Sequence, residues 1–310
     1  MGLAQIAMAQ EHAKDNLSFA NCKHVGFIKT SSINDYITDS AAGATAFSTG
    51  KKTKNKYLAV DSSKKPLPTI LELAHKEHWY TALAATATLT HATPAAYYAH
   101  HYSRYAYKHI SSFFYNSGID IAVGAGRPFF SEDSLKLSGY DIFSGVEEML
   151  QSQSLKYTTF LTDSAELLSI PEGRGSVFPK AVDKLLKDCY SQDKPFFSMI
   201  EGSQIDWGGH ANNANYTIQE LLDFDKCIGI ALKYLEQHPN TLVLVTADHE
   251  TGGLTLLKDE NKEMKPDFST KKHSGVMVPV FAFGQGAEQF IGIYENTEIF
   301  HRLKALMELK

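Results

Sequence analysis

The stretch TLVLVTADHETGG, Thr241 to Gly253, is a run of apolar and β-branched residues that stops on three ionisable ones, Asp248, His249 and Glu250. Continuous apolar runs, as opposed to alternating ones, belong to strands buried on both faces, and such strands are typical of parallel sheets covered by helices. Five further runs read the same way: TALAATATL (81–89), DIAVGAG (120–126), KYTTFLT (156–162), PFFSMIEG (195–202) and VPVFAFG (278–284). Between them lie helix-like stretches, roughly 2–14, 40–50, 68–78, 94–103, 145–152, 177–189, 215–236 and 296–308, the last with Asn296 or Thr297 placed to cap it. Strands alternating with helices predict an α/β fold, a three-layer sandwich whose largely parallel central sheet is covered by helices on both faces. In such folds ligands gather beyond the carboxyl ends of the strands. The polar residues beside each apolar run are therefore the ones to read for chemistry.

Glu201, Asp206 and His210 follow the run at 195–202, and Asp248 and His249 follow the run at 241–249. His273 precedes the run at 278–284, while His91, Thr93 and Arg104 follow the run at 81–89. Asp39 and Ser40 follow SINDYI. Taken singly, each has a structural reading: Asp206 and His210 are spaced as a solvated helix pair, and Asp248 suits a turn. Taken together, imidazole nitrogens and carboxylate oxygens without thiolates are the donors zinc takes. Three histidines and two aspartates suffice for two adjacent zinc sites, and the oxygen pair of Glu201 and Thr93 suits magnesium. Paired cations about 4 Å apart clamp phosphoryl displacement.

Ser40 opens the stretch ITDSAAGATAFSTG, Ile37 to Gly50, which is almost all small residues. A serine hydroxyl does not ionise unaided, and a zinc ion can hold it as an alkoxide. The start of a helix favours a phosphate through its free N–H groups and dipole, and small residues let both a ligand and a neighbouring segment come near the backbone. Arg104 has the forked donors that match two phosphate oxygens.

The totals fit this reading. The chain has 310 residues, 43% hydrophobic and 21% charged, with a net charge of -5, which gives no electrostatic footprint for nucleic acid. The basic tract KKTKNK (Lys51–Lys56) reads as a solvated helix end and loop. Cys22, Cys189 and Cys227 form neither a CxxC pair nor a zinc-knuckle spacing. No run approaches the ~18 apolar residues of a membrane span. The segment MGLAQIAMAQEHAKDNLS lacks the basic n-region of a signal peptide. The other histidines (His12, His24, His75, His78, His100, His101, His109, His238 and His301) read as structural or surface residues.

At TDSAAGATAFSTG, HATPAAYYAHHYSR, EGSQIDWGGH, TADHETGG and HSGVMVPVFAFG the sequence closely resembles the alkaline phosphatase family, with all five blocks in the family's order from residue 2 to about 285. The resemblance implies a single domain over 1–310, with 105–195 as a less motif-rich insertion or lid region. It implies hydrolysis of phosphate monoesters through a phosphoserine at Ser40, in a site holding two zinc ions and one magnesium. In that scheme Asp206, His210 and His273 hold one zinc, Asp248 and His249 with Ser40 hold the other, and Thr93 and Glu201 hold magnesium. Arg104 clamps the phosphate, and Asp39 orients it from behind. His91 and Trp207 stand where some family members have aspartate and lysine. The resemblance also implies a periplasmic or extracellular location and a possible homodimer.

The family begins with an apolar strand ending in a Gly-Asp-Gly-Met-Gly type motif whose aspartate bridges two of the metal sites, and MGLAQ looks like the tail of that motif. The expectation is a fold missing its first strand, with weakened metal sites and poor folding or low turnover until the strand is restored. Two rival readings are a weakly active or inactive phosphate- and zinc-binding remnant, and a related two-zinc phosphodiesterase or sulfatase. Relatives of the latter kind usually replace the serine nucleophile and lack the Thr93 and Glu201 pair.

Overall fold

In the computed structural model, which describes residues 1–310, the chain runs α1 (Leu3–His12), β1 (His24–Lys29), α2 (Ser40–Thr49), α3 (Ile70–Lys76), β2 (Tyr80–Thr88), α4 (Ala92–Ala95), α5 (Tyr107–Phe114), β3 (Ile121–Ala125), α6 (Glu132–Leu137), β4 (Asp141–Ser144), α7 (Val146–Gln151), β5 (Tyr157–Phe160), α8 (Val177–Tyr190) and β6 (Phe196–Glu201), then α9 (Gln204–His210), α10 (Ala214–Gln237), β7 (Leu242–Val245), β8 (Glu250–Thr251), β9 (Leu254–Lys258), β10 (Met264–Phe268), β11 (His273–Ser274), β12 (Val278–Gly284), β13 (Gly292–Glu295) and α11 (Glu298–Leu306).

Five strands form one sheet in the order β4-β5-β3-β2-β6, every neighbouring pair parallel. All nine residues of β2 are buried. The reason is the layer on each face: Leu83 and Ala122 point into a core built with α3, α5 and α6, while Ala82, Ala84, Ile121 and Val123 point into one built with α7 and α8. This is the predicted helix-covered parallel sheet. Residues 105–195, where no motif was legible, supply three of its strands.

A second sheet, ordered β13-β1-β12-β7, joins β1 to β13 in parallel but pairs β12 antiparallel with both β1 and β7. The runs at 241–249 and 278–284 thus lie outside the parallel half. Continuous apolarity reports burial on two faces, not strand direction. Here Val278, Val280 and Ala282 pack on one side against Phe47 and Ile299, and Phe281 and Phe283 pack on the other beside Phe19. β6 and β7 each end their sheet with an unpaired edge, and all six side chains of β6 are half-buried.

Two local expectations change. The helix read over 94–103 is the single turn α4, after which the chain passes Tyr97 and Tyr98 into the core and bridges His101 to Leu58. Thr297 stands at the N-cap of α11 without a capping hydrogen bond. All three cysteines are free, and no helix is long and apolar enough to cross a membrane.

Candidate active site

Ser40 is the first residue of α2, and Asp39 caps that helix by accepting from Ala42 N–H at 3.0 Å. The second carboxylate oxygen of Asp39 accepts from Lys56 N–H (3.0 Å) and from Arg104 Nη1 (3.2 Å). One aspartate therefore fixes the start of the helix and aims the guanidinium towards it. Every residue of α2 is buried. The small side chains have a measurable reason: a Cβ on Gly43 would lie 2.9 Å from the Cβ of Asp248. Only glycine lets the nucleophile helix sit this close to the segment after β7.

Asp206 and His210 lie one turn apart on α9, and His273 lies on β11. His210 Nδ1 contacts the carbonyl of Lys271 at 2.7 Å, and His273 Nδ1 contacts the carbonyl of Thr38 at 2.8 Å. Carbonyls only accept, so each Nδ1 carries a proton, and in the neutral ring each Nε2 presents a lone pair. Those two Nε2 atoms are 3.1 Å apart, with Asp206 oxygens at 3.4 and 3.6 Å from them. Two lone pairs and a carboxylate facing one another repel unless positive charge lies between them. A proton relieves one pair; a cation serves all three donors, which lie within 4.8 Å of one another. The charges register this crowding. Hydrogen bonding to Asp206 lifts the His210 pKa to about 9, while burial and the neighbouring His249 press His273 down to about 4.

The same logic applies to His249. Thr251 donates its hydroxyl to Asp206, so its oxygen is left to accept from His249 Nδ1 at 3.2 Å. His249 Nε2 then faces Ser40 Oγ (3.1 Å) and Asp248 Oδ2 (3.2 Å), an oxygen that makes no hydrogen bond, and in the neutral ring it turns a lone pair towards both. With no cation between them the pair holds a proton instead: burial raises the Asp248 pKa, yet a protonated His249 outweighs it and holds the carboxyl down at about 2. Burial lowers the His249 pKa, and Asp248 in turn outweighs it to raise the value overall. Serine oxygen, imidazole nitrogen and carboxylate oxygen converge as a second donor set. The rings of His249 and His273 stack with centroids 3.5 Å apart, which places the two sets side by side.

Glu201 ends β6, in register with Ala85 of β2. Burial pushes its pKa up to about 7, against the hydroxyls of Ser203 and Thr93, and the charges of Asp248 and Asp206 push the same way. A buried carboxylate crowded by two others is where a hard cation binds favourably. Arg104 is held from behind by Asp39 and by His91, whose Nε2 accepts from Nη2 at 3.4 Å. Burial, then the guanidinium, lowers the His91 pKa to about 4, so the ring is neutral and its Nδ1 is buried without a partner. Trp207 meets His91 edge to face, with centroids 6.0 Å apart.

All the residues read from the sequence thus fall in one neighbourhood. The sequence gives no sign of three supporting groups: the hydroxyl of Thr251 and the carbonyls of Lys271 and Thr38. Thr251 lies inside the TADHETGG block, but a hydroxyl among ionisable groups carries no separate signal. Gly209 does leave a trace, since a Cβ there would lie 2.7 Å from the Thr251 carbonyl and would drive α9 off β8.

Comparison with known proteins gives one answer. The profile of the family "Alkaline phosphatase" matches residues 2–130 and 176–267. Alkaline phosphatases 4 and 3 of Bacillus subtilis are 32% and 31% identical over 86% and 87% of this chain. The matches cover 61% and 62% of those proteins, so the chain spans about three fifths of their length. The structure of alkaline phosphatase from the Antarctic bacterium TAB5 superposes with a TM-score of 0.94 at 39% identity, covering 100% of this chain and 95% of that one. The cold-active enzyme of a psychrophilic Shewanella sp. superposes at 0.93 with 27% identity, covering 99% and 97%. With a profile match over more than half its length and these neighbours, the chain belongs to the alkaline phosphatase family.

Proposed function

We propose that the protein hydrolyses phosphate monoesters through a phosphoserine at Ser40. The observation that carries this is the Ser40 hydroxyl at the head of α2, 3.1 Å from an imidazole nitrogen that also faces an unpartnered carboxylate oxygen. Zinc fits two donor sets, Asp206 with His210 and His273, and Asp248 with His249 and Ser40, while magnesium fits Glu201 and Thr93. A histidine-to-aspartate variant of the TAB5 enzyme is described with Mg bound in the M3 site, which supports a magnesium position in this fold. When bound, these cations supply Lewis-acid charge that favours ionisation of the serine hydroxyl and of water and neutralises the phosphoryl oxygens.

The chain's own residues do the rest. Asp39 and His91 hold the guanidinium of Arg104 so that its two outer nitrogens meet two phosphoryl oxygens. The free N–H groups at the start of α2 take further negative charge. Ser40 Oγ, its proton lost to solvent, bonds to phosphorus as the ester oxygen departs and takes up a proton. Water then adds to phosphorus and Ser40 Oγ leaves, giving inorganic phosphate and the starting serine. The donor set favours monoesters over diesters and sulfates because it retains serine together with the Glu201 and Thr93 pair. Export to the periplasm or exterior, and a dimeric state, belong to the same proposal on grounds of family resemblance.

The test is hydrolysis of p-nitrophenyl phosphate with zinc and magnesium supplied, against bis-p-nitrophenyl phosphate and p-nitrophenyl sulfate, together with acid trapping of phosphoserine. Monoester turnover that exceeds the other two, with label at Ser40 lost in Ser40→Ala, is expected. Faster diester cleavage, or turnover without label at Ser40, would overturn the reading.

A further inference from the structure

A cleft of about 390 Å³ opens beside Trp207, lined also by Tyr216, Leu167, Asn213 and the exposed Pro171 and Glu172. It shares Trp207 with the candidate active site: Trp207 follows the candidate metal ligand Asp206, and its ring meets His91, which holds Arg104. Most polar groups of the lining are already committed. Gln204 accepts from the Tyr216 hydroxyl (2.7 Å) and donates to the carbonyls of Thr86 and Leu167 (3.1 and 3.0 Å). Glu172, an exposed residue, accepts from Ser169 N–H (3.0 Å) and Ser169 Oγ (2.7 Å) through Oε2 alone, which leaves Oε1 free. No lysine or arginine lines the cleft. Nearby Arg174 spends its guanidinium on Glu220 (2.6 Å) and Asp223 (3.1 Å), and no basic residue occurs from 157 to 173.

An aromatic lining with one uncommitted carboxylate oxygen and no cation favours a positively charged, weakly hydrated group, through aromatic rings and charge together. It disfavours a second anionic group. From this we infer that the cleft is a subsite for the alcohol part of the ester, selecting phosphate monoesters of amino alcohols, with the ammonium seated between Trp207, Tyr216 and Glu172. The inference rests on the phosphatase reading for its placement of the phosphate, but the cleft's preference for a cation stands on its own lining.

Two measurements separate the two. The first compares kcat/KM for choline phosphate with that for its neutral isostere, in which tert-butyl replaces trimethylammonium, in the native chain and in Glu172→Gln. The native chain should favour the cationic ester about fivefold, and Glu172→Gln should bring the ratio near one. The second titrates choline phosphate against tryptophan fluorescence, which needs no turnover; Glu172→Gln should weaken binding by a similar factor. Equal rates for both esters, or a ratio and a titration unmoved by Glu172→Gln, would overturn the subsite. A Glu172-dependent titration without any ester hydrolysis would keep the subsite and remove the phosphatase reading.

Discussion

Thr251 has no titratable group, yet it fixes two candidate metal ligands by donating to Asp206 and accepting from His249. That bridge chooses the histidine tautomer and aims Nε2 at Ser40, the orienting role on which metal affinity depends. Thr251→Val should therefore lower zinc affinity ~10–100-fold by chelator competition, with Thr251→Ser restoring most of it. An unchanged affinity in the valine variant would show that the tautomer is set elsewhere. Arg104 makes a second case. Its fork is held by Asp39 and His91, so Arg104→Lys keeps the charge and loses the paired geometry; kcat/KM for a monoester should fall ~10²-fold or more, and the inhibition constant for inorganic phosphate should rise. The ionisable members of the site were legible in the sequence because zinc restricts its ligands to a few residue types, and strand ends concentrate them. Thr251 and the carbonyls of Lys271 and Thr38 were not, since every residue has a carbonyl and hydroxyls are common.

At the level of elements, the close approach of α2 to the segment after β7 decides whether Ser40 and Asp248 can share a ligand. Gly43→Ala places a methyl 2.9 Å from the Cβ of Asp248, so one element must shift. Overpacking of this kind costs about 1–3 kcal/mol, and the denaturation midpoint should drop while kcat falls more than KM rises, because the shift separates donors rather than removing the phosphate clamp. A second contact, away from the metal donors, links α3 to the loop before α5: His100 Nε2 meets Glu72 Oε1 at 2.8 Å and its Nδ1 meets the Ala59 carbonyl at 2.9 Å. Burial lowers the His100 pKa, but those two partners outweigh it, and the net shift is upward. Burial raises Glu72, and the bonds from His100 and Thr69 outweigh it to lower the pKa overall. A raised histidine stabilises the fold below its unfolded pKa near 6.5 and loses that contribution as pH rises through its folded value; a depressed Glu72 contributes above about 4.5 and is lost in acid. Glu72→Gln should consequently destabilise by about 1 kcal/mol near pH 6 and by less near pH 9, read by urea unfolding at both. A loss independent of pH would assign the effect to helix capping at Thr69. Strand existence was legible here where direction was not. β12 reads as a buried run because it is covered on both faces, and its antiparallel pairing is set by the excursion from β8 to β11, whose residues show no continuous apolar pattern.

The whole molecule divides into two sheets, and the candidate site draws on both. Glu201 ends β6 of the parallel sheet, and Asp206 and His210 follow it on α9, whereas Asp248 and His249 follow β7 of the second sheet and His273 precedes β12. Ser40 heads α2, whose Ala41 and Ala44 pack in the core of the first sheet and whose Phe47 packs in that of the second. Cations held by these donors would cross-link the halves through the folded state alone, because the unfolded chain leaves the donors scattered over more than 200 residues of sequence from Ser40 to His273. A ligand that binds only the native state at about 100 times its dissociation constant adds ~2.7 kcal/mol, and for a chain of this size a kilocalorie moves the melting temperature by roughly 2 °C. Removing metal with a chelator should thus lower the melting temperature by about 5 °C per zinc site, with recovery that saturates on adding zinc. His210→Ala should melt near the chelated protein and recover only in part, since it keeps the Asp248 and His249 donors. If the chelated and zinc-loaded proteins melted within about 1 °C of each other, the donors would not be joined by a cation across the sheets, and their facing lone pairs would have to be satisfied by protons alone.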